Sequence, residues 1–507
     1  MAIDTSVLDS DGWWLQRLYN QLRQQRDEAQ KLWDRYEGNA PLPTVNNNQA
    51  EAVRWFIGQS RTNLERLIVA AVLSRLRIRG IRTGADSDEG GDAIAFAQWK
   101  KSKGKLWSRE AHKFALAMRR GYVMVGKDAE GRLLVTAEDP RQVTAIVDPE
   151  DPTRVIAALK LFYDEANQQD VAYLFRLVDG RAVVRIARRD RRPGALPMTK
   201  SFQATSFFWA SEWVSDAGLE MESDEPEWLQ ATDDSPAVLP IVVFENEDGL
   251  AEFEPFLPLL DRINQQILQR MTIATVQAFK QRAMKGLPKT DPKTGEEIDY
   301  DQIFTADPGA IWNIPASVEI WESGQVDLNP ILMAIRDDIK DLSAVSGTPL
   351  YSITPDAANG SAEGASLQRE TMTFKVESRQ DRWELSHEAA IELIFRTLGD
   401  TARAERGKVE VMWAPADRPS MSERANAIAQ TKGVVPRYVA LTEIWGFDPA
   451  TADRAMSMLQ QDAQLDMAQQ AAAAAAGQPD PTRPAPGRSA PPTGQGRELT
   501  PRQSGPQ

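Results

Sequence analysis

Pro258-Leu-Leu-Asp-Arg-Ile-Asn-Gln-Gln-Ile-Leu-Gln-Arg-Met-Thr-Ile-Ala-Thr-Val-Gln-Ala278 and Asp327-Leu-Asn-Pro-Ile-Leu-Met-Ala-Ile-Arg-Asp-Asp-Ile-Lys-Asp-Leu-Ser-Ala-Val345 carry the pattern that decides the fold. In the first, Leu260, Ile263, Ile267, Met271, Ala274 and Ala278 recur at helical spacing, opposite Arg262, Gln265, Gln266, Gln269 and Lys280. The second repeats the design, with Leu328, Ile331, Leu332, Ile335, Ile339 and Leu342 on one face and Asp337, Lys340 and Asp341 on the other. Pro255, Pro258 and Pro330 suit first helical turns, and Gly347 with Pro349 ends the second helix. The spacing predicts helices over 255–284 and 326–345. Between them, residues 285–325 alternate short apolar runs with Gly and Pro, which predicts a small strand-bearing insert.

Two prolines and two glycines make 346–360 an irregular loop. From Ser361 no helix breaker appears after Gly364 until Gly399, and Leu367, Phe374, Trp383, Ile391 and Ile394 supply apolar anchors. A helix over that stretch would span about 55 Å at ~1.5 Å per residue.

Working outward, 10–36 and 49–75 read as helices, 84–92 as an exposed acidic loop, and 93–120 as helical again. Residues 122–244 change to short β-rich runs divided by turn signals such as Asp179-Gly180. Residues 409–413 fit a returning strand, and 420–476 read as helical with a break at 433–436. The Pro- and Gly-rich residues 477–507 lack the apolar content for a core and predict disorder.

With 507 residues, 42% apolar and 26% charged, the chain is expected to form more than one packed region. It has no cysteine, which excludes disulfides, thiolate metal sites and cysteine nucleophiles. His112 and His387 are the only histidines; a zinc helix at His387-Glu388 lacks its second ligand, since Ile391 stands four residues on. No phosphate-cradling ATPase loop occurs, and Gly494-Gln-Gly496 lacks the third glycine of a dinucleotide turn. No apolar run suits a membrane span or a signal peptide. No cofactor and no metal are expected, and an enzyme is not. The net charge of -14 argues against tight non-specific DNA binding, which depends on Lys and Arg neutralising phosphates.

The runs Val243-Phe-Glu-Asn246, Glu252-Phe-Glu-Pro-Phe-Leu-Pro-Leu-Leu-Asp-Arg-Ile-Asn264, Ile303-Phe-Thr-Ala-Asp-Pro-Gly309, Trp321-Glu-Ser-Gly-Gln-Val-Asp-Leu328 and Thr354-Pro-Asp-Ala-Ala-Asn-Gly-Ser-Ala-Glu-Gly-Ala-Ser366 closely resemble portal proteins of tailed double-stranded DNA phages, especially siphoviruses of actinobacteria. The resemblance runs from about Trp13 to Met467. It implies a mainly helical α+β portal fold that assembles as a ring, usually of twelve subunits, around a DNA channel at one vertex of the head. On that resemblance, 1–254 are the wing, 255–284 and 326–345 the stem, 285–325 the clip, 346–360 the tunnel loop, 361–398 the spine, 399–419 a return to the wing and 420–476 the crown. The partners implied are further copies of the chain, the terminase large subunit, a head-completion or neck adaptor, the major capsid and scaffolding proteins, and double-stranded DNA passing non-specifically. The location implied is the virion, after assembly in the host cytoplasm.

The same resemblance nominates Leu350, Tyr351, Ile353, Asp356 and Asn359 as tunnel-loop DNA contacts. It gives Gln265, Gln269, Asp337, Lys340 and Asp341 as channel-lining candidates. Ile263, Ile267, Met271, Ile331, Ile335 and Ile339 become the subunit-packing face, and Tyr300, Phe304, Trp312 and Trp321 the clip contacts. Asp337 and Asp341 fall four residues apart on one face, a spacing that suits a metal or acid/base pair, but with Lys340 beside them a solvated helix face is the favoured reading; a contact face between subunits would look much like a channel lining. Two basic runs stand apart. Lys100-Lys-Ser-Lys-Gly-Lys105 between Trp99 and Trp107 suits single-stranded nucleic acid, although a solvated helix connection with buried tryptophans is the favoured reading. Arg188-Arg-Asp-Arg-Arg192 reads as an exposed hairpin end open to capsid or scaffold contact. The competing functions are another structural virion component, minor head or tail, and a packaging enzyme.

Overall fold

Ser10 starts the first helix by accepting a hydrogen bond from the Trp13 amide at 3.1 Å. This helix, α1 (Asp11–Tyr36), turns Leu15, Leu18, Tyr19 and Leu22 onto an antiparallel sheet. The sheet comprises β4 (Val143–Val147), β5 (Val155–Asp164), β6 (Gln169–Val178), β7 (Arg181–Asp190) and β8 (Glu220–Met221) in that order, with β9 (Glu227–Trp228) also on β7. Asp179 and Gly180, at φ 48 and 74, supply the paired left-handed residues that a two-residue hairpin turn requires between β6 and β7. Arg176 and Arg185 both reach Asp11, at 2.6 and 2.8 Å, and lock α1 across the sheet. The computed structural model describes residues 6–41, 57–86, 91–190 apart from 129 and 152, 220–221, 227–228, 237–278, 282–300 apart from 292 and 293, 319–353 apart from 323 and 325, 362–417 and 421–476.

The opposite face of the same sheet packs Ala158, Phe175 and Val184 against Tyr122, Leu239 and Ile241. These last belong to or adjoin a three-stranded sheet of order β10-β2-β3, made of β2 (Arg120–Lys127), β3 (Leu133–Glu138) and β10 (Ile241–Glu245). The main core lies on its other side, where α2 (Leu64–Leu73), α3 (Ala93–Lys101), α4 (Gly104–Met118) and the long α7 (Ala362–Leu398) converge. Trp383 Nε1 donates to the Glu245 carbonyl at 2.8 Å and Ser386 Oγ to that of Val243 at 2.9 Å, so α7 rides on β10. β13 (Glu410–Trp413) returns antiparallel to β1 (Ile78–Arg82).

Both histidines lie in this core. His112 and His387 meet Nε2 to Nε2 at 2.7 Å, with Trp383 stacked on His112 at 4.7 Å and Phe244 4.9 Å from His387. Burial pushes His112 down to about 3 and His387 well below its usual range, so both rings are neutral. No group of three metal-ligating side chains occurs among the described residues.

Several expectations change on contact with the structure. Asp92 is not in an exposed loop: it is 1% exposed, accepts from the Ile94 and Ala95 amides to cap α3, and receives Arg403 at 2.7 Å. A carboxylate at a helix start is worth burying when it satisfies orphan amides and a cation together. Trp99 and Trp107 are core residues. Gly104 lies so close to Trp99 that a Cβ there would stand 2.1 Å from the indole. Phe374, expected as a spine anchor, is 62% exposed, whereas Trp383, Ile391 and Ile394 are buried. The side chain of Leu367, residues 42–56 and the tail 477–507 lie outside the described residues.

Beyond β13, α8 (Met421–Thr431) stops at Gly433, φ 90, and a π-helical turn covers Ala440–Ile444. The chain divides into two units, 1–449 and 450–507. In the second, α9 (Pro449–Ala476) leaves Met458, Leu465 and Met467 exposed. No described helix is long and apolar enough to cross a membrane.

Candidate functional site: a helical hairpin and its anchoring node

The two amphipathic segments form α5 (Leu257–Ala278) and α6 (Asn329–Ser346). Arg262 pairs with Asp338 while Gln277 Nε2 donates to the Val326 carbonyl at 2.8 Å, so the helices run antiparallel. Asp338 sits among the apolar residues of α6, between Ile335 and Leu342, and is 9% exposed. It accepts from Arg262 Nη2 at 2.6 Å, Arg262 Nε at 3.0 Å and Gln266 Nε2 at 3.0 Å. The face of α5 read as wet therefore contributes Arg262 and Gln266 to the inter-helix contact.

α5 does not run on to Met284 as its periodicity predicts. Arg282–Lys285 instead forms β11, paired with β12 (Glu319–Glu322) from Arg282 opposite Glu322 to Lys285 opposite Glu319. Ala, Met and Lys favour helices, but a strand brought alongside by the antiparallel hairpin outweighs that preference.

Polar contacts fasten the base of α5. Arg35 makes two hydrogen bonds to Asp261, at 2.8 and 2.9 Å. Asn264, 2% exposed, accepts from the Thr62 amide at 2.9 Å and its hydroxyl at 2.8 Å. Glu65 is fully buried beside this contact, 3.7 Å from Arg35, and neither of its oxygens makes a hydrogen bond. Burial pushes its carboxyl up to about 7, with Arg35 offsetting only part of the effect.

The entrance of α5 and the exit of α6 meet on one turn of α7. Glu252, just before α5, is 5% exposed and receives Lys375 Nζ at 2.6 Å and Arg379 Nη2 at 3.1 Å. Lys375 Nζ also donates to the Ser346 carbonyl at 2.6 Å, at the C-terminus of α6, where a cation complements the helix dipole. Gly347 takes the left-handed conformation (φ 61) that ends α6, and Ser343 Oγ donates to the Thr348 carbonyl at 2.7 Å. Arg379 further pairs with Glu247. Burial alone would raise the Glu252 carboxyl, but Lys375 and Arg379 hold it below the usual carboxylate range.

The residues nominated by sequence fall into distinct settings. Gln269, Asp337, Lys340 and Asp341 are exposed, Gln265 is half-buried, and Lys340 pairs with Asp337 at 2.9 Å. Ile263 and Ile335 are 0% and 6% exposed within the single chain, so intramolecular packing already covers them. Ile267, Met271, Ile331 and Ile339 remain partly exposed. The start of the expected loop is ordered as a helical turn, Leu350–Ile353, closed by the Ser352 amide on the Pro349 carbonyl at 2.8 Å. Leu350 and Ile353 are half-buried there, which accounts for their apolar character; Tyr351 shares the turn, its side chain outside the description. Asp356 and Asn359 lie outside the described residues, as do Phe304 and Trp312. Tyr300 donates its hydroxyl to the Pro288 carbonyl at 2.5 Å, and Trp321 on β12 is 59% exposed. Arg188 lies 3.9 Å from Asp164, within the edge of the hairpin.

Glu252, Lys375, Arg379 and Asn264 escaped sequence reasoning because their partners lie far along the chain. Asp338 left a trace: an acid at the spacing of Ile335 and Leu342 interrupts the apolar stripe and calls for a partner.

A long helix thus holds a helical hairpin by both of its ends, backed by a sheet-rich body. The family model described as phage portal protein, SPP1 Gp6-like, matches residues 15–471, and the chain belongs to that family. Its role is accordingly that of a portal or connector in a phage virion, a structural part. Among solved structures, a chain from one titled "Neck of native GTA particle computed with C12 symmetry" is 11% identical, with 81% of this chain and 97% of that chain covered at a TM-score of 0.31. No curated protein matches the chain.

Proposed function

We propose that this chain is the subunit of a closed portal ring, of the kind found in siphoviruses of actinobacteria, whose portal motifs its sequence resembles. In that reading twelve copies surround a channel at one capsid vertex. Terminase drives the genome in through it, the DNA later leaves by it, and a neck adaptor docks on the clip. α5 and α6 are the stem, the β11–β12 insert the clip, α7 the spine and 420–476 the crown. Major capsid and scaffolding proteins seat the ring during assembly in the host cytoplasm.

The observation that carries this reading is the helical hairpin closed at both ends on one turn of α7, in a chain that the portal family model matches over most of its length. The exposed Met333 and Val345 of α6, 63% and 58%, are apolar surface that a neighbouring subunit would cover. The net charge of -14 suits a sleeve that neither holds nor stalls a polyanion.

Native mass spectrometry with negative-stain imaging tests the proposal. Rings of about twelve subunits with a central hole support it. A protein that stays monomeric even with capsid and scaffolding proteins present overturns it.

A further inference from the structure

Two surfaces of this chain carry opposite charges that the chain itself leaves unneutralised. The first is a face of α7. Glu377, Asp381, Glu384 and Glu388 recur at helical spacing around Phe374 and Leu385, and all six lie within one stripe of the helix. Phe374 and Leu385 are 62% and 56% exposed. None of the four carboxylates has an ion-pair partner among the described residues. The carboxyl of Glu388 is pushed up to about 7 by burial and by Glu384 and Glu410.

The second surface lies in a cleft of about 1250 Å³, which Phe374 at the near end of the stripe also lines, so the two surfaces adjoin there while Glu377 to Glu388 run on outside the lining. Arg75, Arg77, Lys100, Lys105 and Arg109 line it as a basic wall. Arg75 donates to the Ala71 carbonyl and Lys100 lies over the Phe96 ring, but none of the five meets a carboxylate among the described residues. Leu106, beside Lys105, is 59% exposed. Elsewhere in the cleft the cations are already spoken for: Arg79 pairs with Glu443 at 2.8 Å and Arg369 with Glu423 at 3.3 Å.

We infer that the acidic stripe of α7 in one copy docks on the basic wall from Arg75 to Arg109 of the next copy. The inference rests on the ring reading and gives it one defined contact. The two surfaces differ in sequence and shape, so pairing them between copies is heterologous, the kind of contact that repeats until a ring closes. Each surface sets its charges beside exposed apolar side chains, Phe374 and Leu385 on one and Leu106 on the other, which favours a protein partner. The lining of the same cleft also carries Glu370, Asp417 and Asp448, and these acids oppose a nucleic-acid phosphate entering there.

The test uses the full chain and four proteins: wild type, Arg77→Glu/Lys105→Glu, Glu384→Lys/Glu388→Lys, and all four substitutions together. All four positions lie at the surface or its margin, and circular dichroism checks that helicity is kept. Native mass spectrometry reads the ring-to-monomer ratio. Either reversal alone is expected to lower that ratio at least roughly tenfold, because like charges then face each other, and the combined variant is expected to restore it. Rings that form unchanged in both single reversals overturn the inference, as does a well-folded combined variant that stays dissociated. Intact rings that lose DNA retention in a filter assay on reversing the basic wall also overturn it, and assign that wall to a polyanion. A monomeric wild type would instead remove the ring reading beneath it.

Discussion

Glu252→Gln is expected to loosen the attachment of the hairpin to α7. The substitution leaves Lys375 and Arg379, whose side chains are only 14% and 6% exposed, facing a neutral amide. Removing one member of a buried, hydrogen-bonded charge cluster destabilises by about 3–5 kcal/mol. Lys375→Met should be milder, at about 1–2 kcal/mol, because Arg379 still holds Glu252 although Glu252 and the Ser346 carbonyl each lose one donor. Amide hydrogen exchange over residues 343–349 and 375–383 reads the effect where it arises, and 3 kcal/mol there corresponds to roughly a 150-fold easier opening. The folded carboxyl of Glu252 sits below its ordinary value of 4.5, so its contribution is present above pH 4.5 and disappears as pH falls through the folded value. Wild type and Glu252→Gln should therefore differ at pH 7 and converge in acid. A difference below about 0.5 kcal/mol at pH 7, or one that grows in acid, would refute the reasoning.

Glu65→Gln should stabilise at pH 8 by about 1–3 kcal/mol in urea melts and make no difference at pH 4, because wild type loses stability as pH rises from 4.5 through the folded value of about 7. The histidine pair has the opposite sense: with both pKa values lowered, stability falls as pH drops below 6.5, and His112→Asn/His387→Asn should remove up to ~2 protons from the acid-unfolding slope. Gly104→Ala should destabilise by about 1–3 kcal/mol and shift tryptophan fluorescence, since the new methyl would overlap the Trp99 ring. Asp338→Ala, which strips Arg262 and Gln266 of their acceptor, should speed amide exchange along 262–268, and unchanged protection there would show that apolar packing alone joins α5 to α6.

The hairpin, the long helix and the antiparallel strands from Tyr122 to Ile186 were legible because each has a clean local period: 3.6 residues with caps at Pro330 and Gly347, or 2 with turn pairs such as Asp179-Gly180. Local periods could not say what an apolar residue packs against. Ile263 and Phe374 look alike in a helical register, yet one is covered by the chain's own core and the other faces solvent. Nor could they find the strand at Arg282–Lys285, whose partner lies beyond the insert, or the node of Glu252, Ser346 and Lys375, whose members belong to three different segments. Long-range polar contacts are legible only as misfits within a pattern, and Asp338 alone left one.

Both ends of the hairpin are pinned to a single turn of α7. With Asp261 held by Arg35 and Asn264 by Thr62 as well, the base of the hairpin is clamped on two sides, so a push at the β11–β12 tip is shared between the first helices of the chain and α7. The same helix carries the Trp383 and His387 box two to three turns further on, wedged against β10. Movement begun at Lys375 is therefore opposed at Trp383, which makes residues 376–382 a stiff link between the hairpin and the sheet.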